Sequence, residues 1–304
     1  MSRIHEALKR AEQETKATSA VEVQAARAGT YLDDVLIDSP NGEAIDSVKR
    51  VAVDRRQEEL GANAKWMETL AAREWKTDPK RLLFADPSRH YEPGMEEFRT
   101  LRSRLYQLRE KMQLKRIMVA SALPGEGKTF VSSNLAYALV RQHGRRVLVI
   151  DADVRKCHMH ECFGTTNFPG LNEYLAGDAT EEAIVQRGPL DNLFFIPGGR
   201  AAENPSELIG NGRFELLLDR LSPMFHWVII DSPPVVPISD GTVIAKHTDG
   251  LLLVVQAGST PVEMVQRAKQ ELIHRPLLGV VLNRGERSDG YSSYYYNYGA
   301  KSQE

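Results

Sequence analysis

Ser121-Ala-Leu-Pro-Gly-Glu-Gly-Lys-Thr129, directly after the apolar run Arg116-Ile-Met-Val-Ala120, decides how this chain is built. A strand that runs into a glycine-rich turn and then a helix wraps its backbone around a phosphate. Gly125 and Gly127 let the main chain approach phosphate oxygens, and the amides that follow point inward at a helix N-terminus. Lys128 is spaced to reach the β- and γ-phosphates, and Thr129 to offer its hydroxyl to magnesium. Ala122 stands where the eight-residue pattern usually begins with glycine. Beyond the loop, Phe130, Val131, Leu135, Ala138 and Leu139 recur at helical spacing, and Gly144 marks a stop.

Working outward, five more short apolar runs follow, separated by helix-length stretches. They are Val147-Leu-Val-Ile150, Asn192-Leu-Phe-Phe-Ile196, Trp227-Val-Ile-Ile230, Leu251-Leu-Leu-Val-Val255 and Leu278-Gly-Val-Val-Leu282. Each is continuously apolar, as strands covered on both faces must be, so from about residue 81 the pattern predicts an α/β domain with a mostly parallel sheet between helices. Ligands of such sheets bind at the carboxyl ends of the strands. Asp151 and Asp153 stand just beyond one run and Asp231 ends another, with Pro233-Pro234 directing the chain away from the sheet. In an extended segment, acids two apart turn to the same side, which suits one for magnesium or its water shell and the other for a nucleophile's proton. A lone acid at a strand end is usually a cap, but three acids facing a phosphate loop read as a metal site.

The chain has 304 residues, 42% of them hydrophobic and 26% charged, enough for one large core or two small ones. A formal net charge of -2 supplies no basic field, so nucleic-acid binding has no electrostatic support. No apolar run approaches the ~18 residues needed to span a bilayer, and Met1-Ser-Arg-Ile-His-Glu-Ala-Leu8 lacks the apolar stretch of a signal peptide. A cytoplasmic protein is expected. Cys157 and Cys162 are too few for a disulfide framework and read as reduced thiols.

The ends of the chain differ from its middle. Residues 1–80 read as an N-terminal helical and linker region. Ile4, Leu8 and Ala11 make a short apolar stripe, which suits either a docking helix or a frayed end. A polar, Ala-rich linker follows to about Asp46, and a second helical stretch is predicted from about Ile45 to Trp75. After a domain over residues 81–286, residues 287–304 hold Tyr291, Tyr294, Tyr295, Tyr296 and Tyr298, five of the chain's ten tyrosines. They stand among Ser and Asn with no aliphatic residue to make a core strand, so they read as a mobile substrate, the bland alternative being an adhesive aromatic tail.

Together these stretches resemble the bacterial tyrosine kinases of exopolysaccharide and capsule synthesis. Ser-x-x-Pro-Gly-Glu-Gly-Lys-Thr129, the aliphatic-Asp-x-Asp-x-Arg motif ending at Arg155, Asp231-Ser-Pro-Pro234 and the terminal tyrosines carry the likeness. It covers roughly residues 81 to 298, and the opening Met-Ser-Arg-Ile-His-Glu-Ala-Leu-Lys9 is similar to the exosortase-associated autokinase subgroup. The resemblance implies a P-loop NTPase fold using ATP and Mg2+. Lys128, Asp151, Asp153, Asp231 and Arg155 would be catalytic, with Thr129, Asp151 and Asp231 holding the metal. Pro124, Gly125, Glu126, Gly127, Lys128, Thr129, Phe130 and Asn283 would line the nucleotide. Glu96, Arg99 and Arg102 match a helix such kinases use to form rings, although that spacing alone equally suits a solvated charged face. Asn204-Pro-Ser-Glu-Leu208 and Ser239-Asp-Gly-Thr242 also look familial.

The resemblance further implies an octameric ring in which each tail enters a neighbour's site, and a cognate tyrosine phosphatase. A membrane-bound polysaccharide chain-length regulator, a Wzz-like co-polymerase, would hold the kinase at the inner face of the plasma membrane and activate it. Two other readings compete: a MinD/ParA-like positioning ATPase, and a nucleotide-gated scaffold with little kinase activity. The positioning ATPases commonly carry a second lysine early in the loop, where this chain has Ser121, Ala122 and Leu123.

Overall fold

The computed structural model describes residues 66–85, 94–142 and 144–285. The N-terminal stripe, the linker and the tyrosine cluster lie outside the described residues. All six apolar runs form strands of one seven-stranded sheet: β1 (Arg116–Ser121), β2 (Val147–Asp151), β4 (Leu193–Ile196), β5 (Trp227–Asp231), β6 (Gly250–Gln256) and β7 (Leu277–Asn283). The seventh strand, β3 (Gln186–Arg187), is two polar-headed residues long and pairs antiparallel with β4, too little pattern to read from sequence. The strand order is β3-β4-β2-β5-β1-β6-β7, and every pairing except β3 with β4 is parallel.

The continuous apolar runs are explained by two cores, one on each face of the sheet. Met118, Ala120, Leu148, Ile150, Val228 and Ile230 feed one. Their alternating neighbours Ile117, Val119, Val147, Val149, Trp227 and Ile229 feed the other. Burying both faces requires every residue of a strand to be apolar.

Helix α1 (Met95–Arg109) and helix α2 (Lys128–Val140), which follows the phosphate loop, lie on the second face. Phe98 of α1 meets Phe130 of α2 with ring centroids 6.0 Å apart, and Leu105 is buried. The sequence suggests an apolar stripe for α2, but the helix is buried on almost all sides from Val131 to Val140. It ends at Val140, and Gly144, with φ 72°, belongs to the turn beyond.

The core also takes in residues upstream of 81. A helical turn over residues 66–69 gives way to extended chain, in which Ala72 bridges to Arg187 of β3. The described end of the helix expected over 45–75 therefore stops before Trp75. The indole of Trp75 stacks on Phe163 at 4.8 Å and meets the edge of Phe195 at 6.1 Å, so packing against the sheet overrides helical propensity there.

Candidate nucleotide and phosphoryl-transfer site

The loop between β1 and α2 takes the backbone form that the glycines allow. Gly125 has φ 82° and Gly127 φ 93°, both in the left-handed region, and Gly127 caps the helix that begins at Lys128. Glu126, 2% exposed, turns its carboxylate into the protein. One oxygen accepts the Leu123 amide at 2.7 Å, and the other accepts the hydroxyl of Thr260 from the turn after β6. Asn283, at the end of β7, donates through Nδ2 to the Glu126 carbonyl at 2.8 Å. The phosphate loop is thus tied to the ends of two neighbouring strands. A Cβ at Gly127 would sit 2.0 Å from Asn283 Nδ2, on top of its positive φ. Gly127→Ala is expected to weaken nucleotide binding by at least about tenfold, read by titration with a fluorescent nucleotide; unchanged affinity would mean the loop reshapes freely.

The acids come from adjacent strands. β2 and β5 pair in a register that sets Asp151 beside Asp231, and the two are 0% and 2% exposed. Thr129 Oγ1 donates to Asp231 Oδ2 at 2.7 Å, and Ser132 Oγ, one helical turn on, donates to Oδ1 at 2.9 Å. Burial pushes Asp231 up to about 6, against the opposing pull of the Lys128 ammonium and the two hydroxyls. Asp151 is raised well above the ordinary carboxylate range, first by burial and then by the charge of Asp231. It accepts the amides of Met159 at 3.1 Å and Asp153 at 3.3 Å. Two adjacent buried carboxylates, one raised in part by the charge of the other, would be stabilised by a bound cation.

The expected placement of Asp151 and Asp153 on one side of an extended segment needs revision. β2 ends at Asp151, and the chain turns so that the Asp153 amide points back to the Asp151 carboxylate. Asp153 is half-buried, and its Oδ1 accepts the Lys156 amide at 3.0 Å, closing a turn of its own.

Among the described residues no three His, Cys, Asp or Glu side chains gather into a metal cage. Mg2+ does not need one, because it takes one or two carboxylates together with hydroxyl, water and phosphate oxygens. The oxygen donors Thr129, Asp151 and Asp231 are of that kind.

Arg155 is held by residues that sequence reading left without a role. Its Nε donates to Asp240 Oδ2 at 2.7 Å and its Nη2 to Ser206 Oγ at 2.9 Å, while Ser206 Oγ donates to Asp240 Oδ1 at 2.6 Å. Asp240 is fully buried. The familial stretches around Ser206 and Asp240 therefore meet on the arginine of the motif that follows β2. Arg99 pairs within α1 with Glu96 at 2.9 Å. Arg102 donates to the Ala138 carbonyl at 2.8 Å, securing α1 on α2. Both cysteines are buried and their thiols are raised by burial, Cys157 to about 12, which keeps them protonated and inert.

Residues 117–298 match the family model of the CobQ/CobB/MinD/ParA nucleotide binding domain. The tyrosine-protein kinase YwqD of Bacillus subtilis is 34% identical over 208 residues, which cover 68% of this chain and 86% of YwqD. The chain belongs to the bacterial tyrosine-protein kinases. Among solved structures, the kinase domain of Escherichia coli tyrosine kinase ETK is 29% identical with a TM-score of 0.60, covering 73% of this chain and 94% of that one. EpsB of Ralstonia nicotianae is 34% identical over 69% of this chain, yet the match spans only 28% of EpsB. The chain thus spans little more than a quarter of that relative.

Proposed function

We propose that this kinase-family chain is an ATP-dependent protein tyrosine autokinase that modifies its own tail cluster in trans and regulates exopolysaccharide polymerisation or export. The observation that carries the reading is the buried pair Asp151 and Asp231, joined through Thr129 to the head of the phosphate loop, in a chain that also holds five tyrosines between residues 291 and 298. Glycine amides and Lys128 hold the β- and γ-phosphates. Bound Mg2+ supplies positive charge that offsets the charge shared by those phosphates. A tyrosine hydroxyl oxygen forms the new bond to the γ-phosphorus as the bond from that phosphorus to the β-bridging oxygen breaks, and ADP leaves. The phenolic proton passes to the Asp153 carboxylate, at the mouth of the acid pair. Arg155, fixed by Asp240 and Ser206, keeps the loop that carries Asp153 in place.

In this reading the kinase works as a ring, an octamer, beside a membrane-bound chain-length regulator of the Wzz-like co-polymerase kind. That regulator activates it at the inner face of the plasma membrane, and a cognate tyrosine phosphatase reverses the modification. Among the described residues no helix is long and apolar enough to cross a membrane, which fits attachment through the regulator. Transfer in trans is tested by mixing two full-length forms: Lys128→Met with its tail intact, and an active form with all five tail tyrosines changed to Ser. Phosphotyrosine on the Lys128→Met copy is expected; none on it, with an active wild type alongside, would confine transfer to one chain.

Arg99 and Arg102 are assigned to the ring interface. Reversing both to Glu sets like charges against a neighbour's acids and also removes the Arg102 bond that secures α1. Light scattering should show a smaller oligomer, while Arg102→Gln, which keeps a donor for the Ala138 carbonyl, separates loss of the interface from loss of α1 packing. An unchanged oligomer in the double variant would remove these residues from the interface.

A further inference from the structure

Phe168 is a large apolar side chain left 47% exposed at the carboxyl edge of the sheet. The guanidinium of Arg200, itself exposed, lies 4.1 Å from the centre of its ring. The backbone beneath this pair is fixed. Asn167 Nδ2 donates to the Gly199 carbonyl at 2.6 Å, Leu171 N to the Pro197 carbonyl at 2.7 Å, and Arg200 N to Glu173 Oε1 at 3.1 Å. Buried Asn172 reaches both ways, its Nδ2 donating to the Arg200 carbonyl at 2.6 Å and to the Val154 carbonyl at 3.1 Å. Val154 follows Asp153 directly. This aromatic and guanidinium pair therefore shares one anchor with the loop of the acids, just beyond the end of β4, the strand beside β2.

We propose that Phe168 and Arg200 form a docking platform for the Tyr291 to Tyr298 segment of a second copy of this chain, seating one tyrosine while another enters the acid site. The proposal rests on the autokinase reading and names where its substrate binds. Tyr-Ser-Ser-Tyr-Tyr-Tyr-Asn-Tyr298 is rich in aromatic faces, which stack on a ring and on a guanidinium. It holds no charged residue, so it approaches Asp151, Asp153 and Asp231 without repulsion. The second copy follows from transfer in trans, in which one chain's tail enters another chain's site. β7 and β4 stand five places apart in the strand order, about 24 Å at ~4.8 Å per strand. From Gly285 the chain to Tyr291 spans at most about 20 Å when fully extended, so a chain's own first tyrosine falls short while its later ones reach, and the binding test below decides between the chain's own tail and a neighbour's.

The test uses a fluorescent synthetic peptide of residues 287–304 and the full-length chain with its five tail tyrosines changed to Ser, so that its own tail does not compete. Phe168→Ala and Arg200→Gln are each expected to weaken peptide binding about tenfold, and Phe168→Tyr to restore it, with melting temperatures unchanged because both side chains are exposed. With the Lys128→Met copy as substrate, Phe168→Ala should raise KM about tenfold and leave kcat within about twofold. Peptide affinity indifferent to both substitutions would overturn the platform. A wild-type chain that refuses the peptide at every dilution, while the Ser form binds it, would give the platform to the chain's own tail and overturn the second copy. Platform-dependent binding without any phosphoryl transfer by the wild type would support docking and contradict the kinase reading instead.

Discussion

Lys128→Met lowers kcat/KM for tail phosphorylation by about a thousandfold or more, because a neutral side chain cannot balance the charge that the β- and γ-phosphates share during transfer. Lys128 is 8% exposed at the first position of α2, and Met matches the length and apolar character of its stem. The fold should therefore persist, and the loss should lie in chemistry. The ammonium also pulls the carboxyl of Asp231 downward, so its removal leaves that acid still harder to ionise. Single-turnover transfer measured beside the melting temperature separates the two effects. Normal phosphotyrosine in this variant would remove the loop from the mechanism.

Asp231→Asn should abolish transfer, by about a hundredfold to a thousandfold, and yet stabilise the nucleotide-free protein at neutral pH. The ordinary value of this carboxyl is 3.8 and burial raises it to about 6, so the folded chain holds the proton more tightly than the unfolded one. Stability therefore falls as pH rises from about 4 to about 6, and the whole cost, on the order of 2 to 3 kcal/mol, is in force above that window. Asn removes the charge but accepts only one of the Thr129 and Ser132 hydroxyls through its single carbonyl oxygen, which trims the gain. A higher melting temperature than wild type at pH ~7.5, fading at pH ~4, is expected. A lower one at pH ~7.5 would mean that the two hydroxyl bonds outweigh the burial of the charge.

That Asp231 stands at the end of a strand was legible because it ends an apolar run, and such runs announce themselves wherever a strand is covered on both faces. The same reasoning found the six long strands and the glycine turn. Contacts between distant residues were not legible. Ser132 reads as one polar residue in a helix until β5 brings Asp231 to it, and Arg155 meets Asp240 only because the fold joins positions 85 residues apart. Trp75 was read as the end of a helix because its stacking on Phe163 depends on a segment far along the chain. Asp153 was misread for a local reason: the extended spacing assumed for it ends at Asp151, where the Asp153 amide turns back to the buried carboxylate. Sequence period reports burial, while the partners of polar groups are set by tertiary geometry.

The central claim is that the phosphoryl group leaves ATP for the tyrosines at the chain's own end. The most direct measurement incubates the purified full-length chain with ATP and Mg2+ and maps phosphotyrosine by mass spectrometry. Modification at Tyr291, Tyr294, Tyr295, Tyr296 or Tyr298 is predicted, absent from Lys128→Met. ADP and free phosphate accumulating over unmodified tyrosines would contradict the claim and leave a nucleotide-driven positioning ATPase in its place.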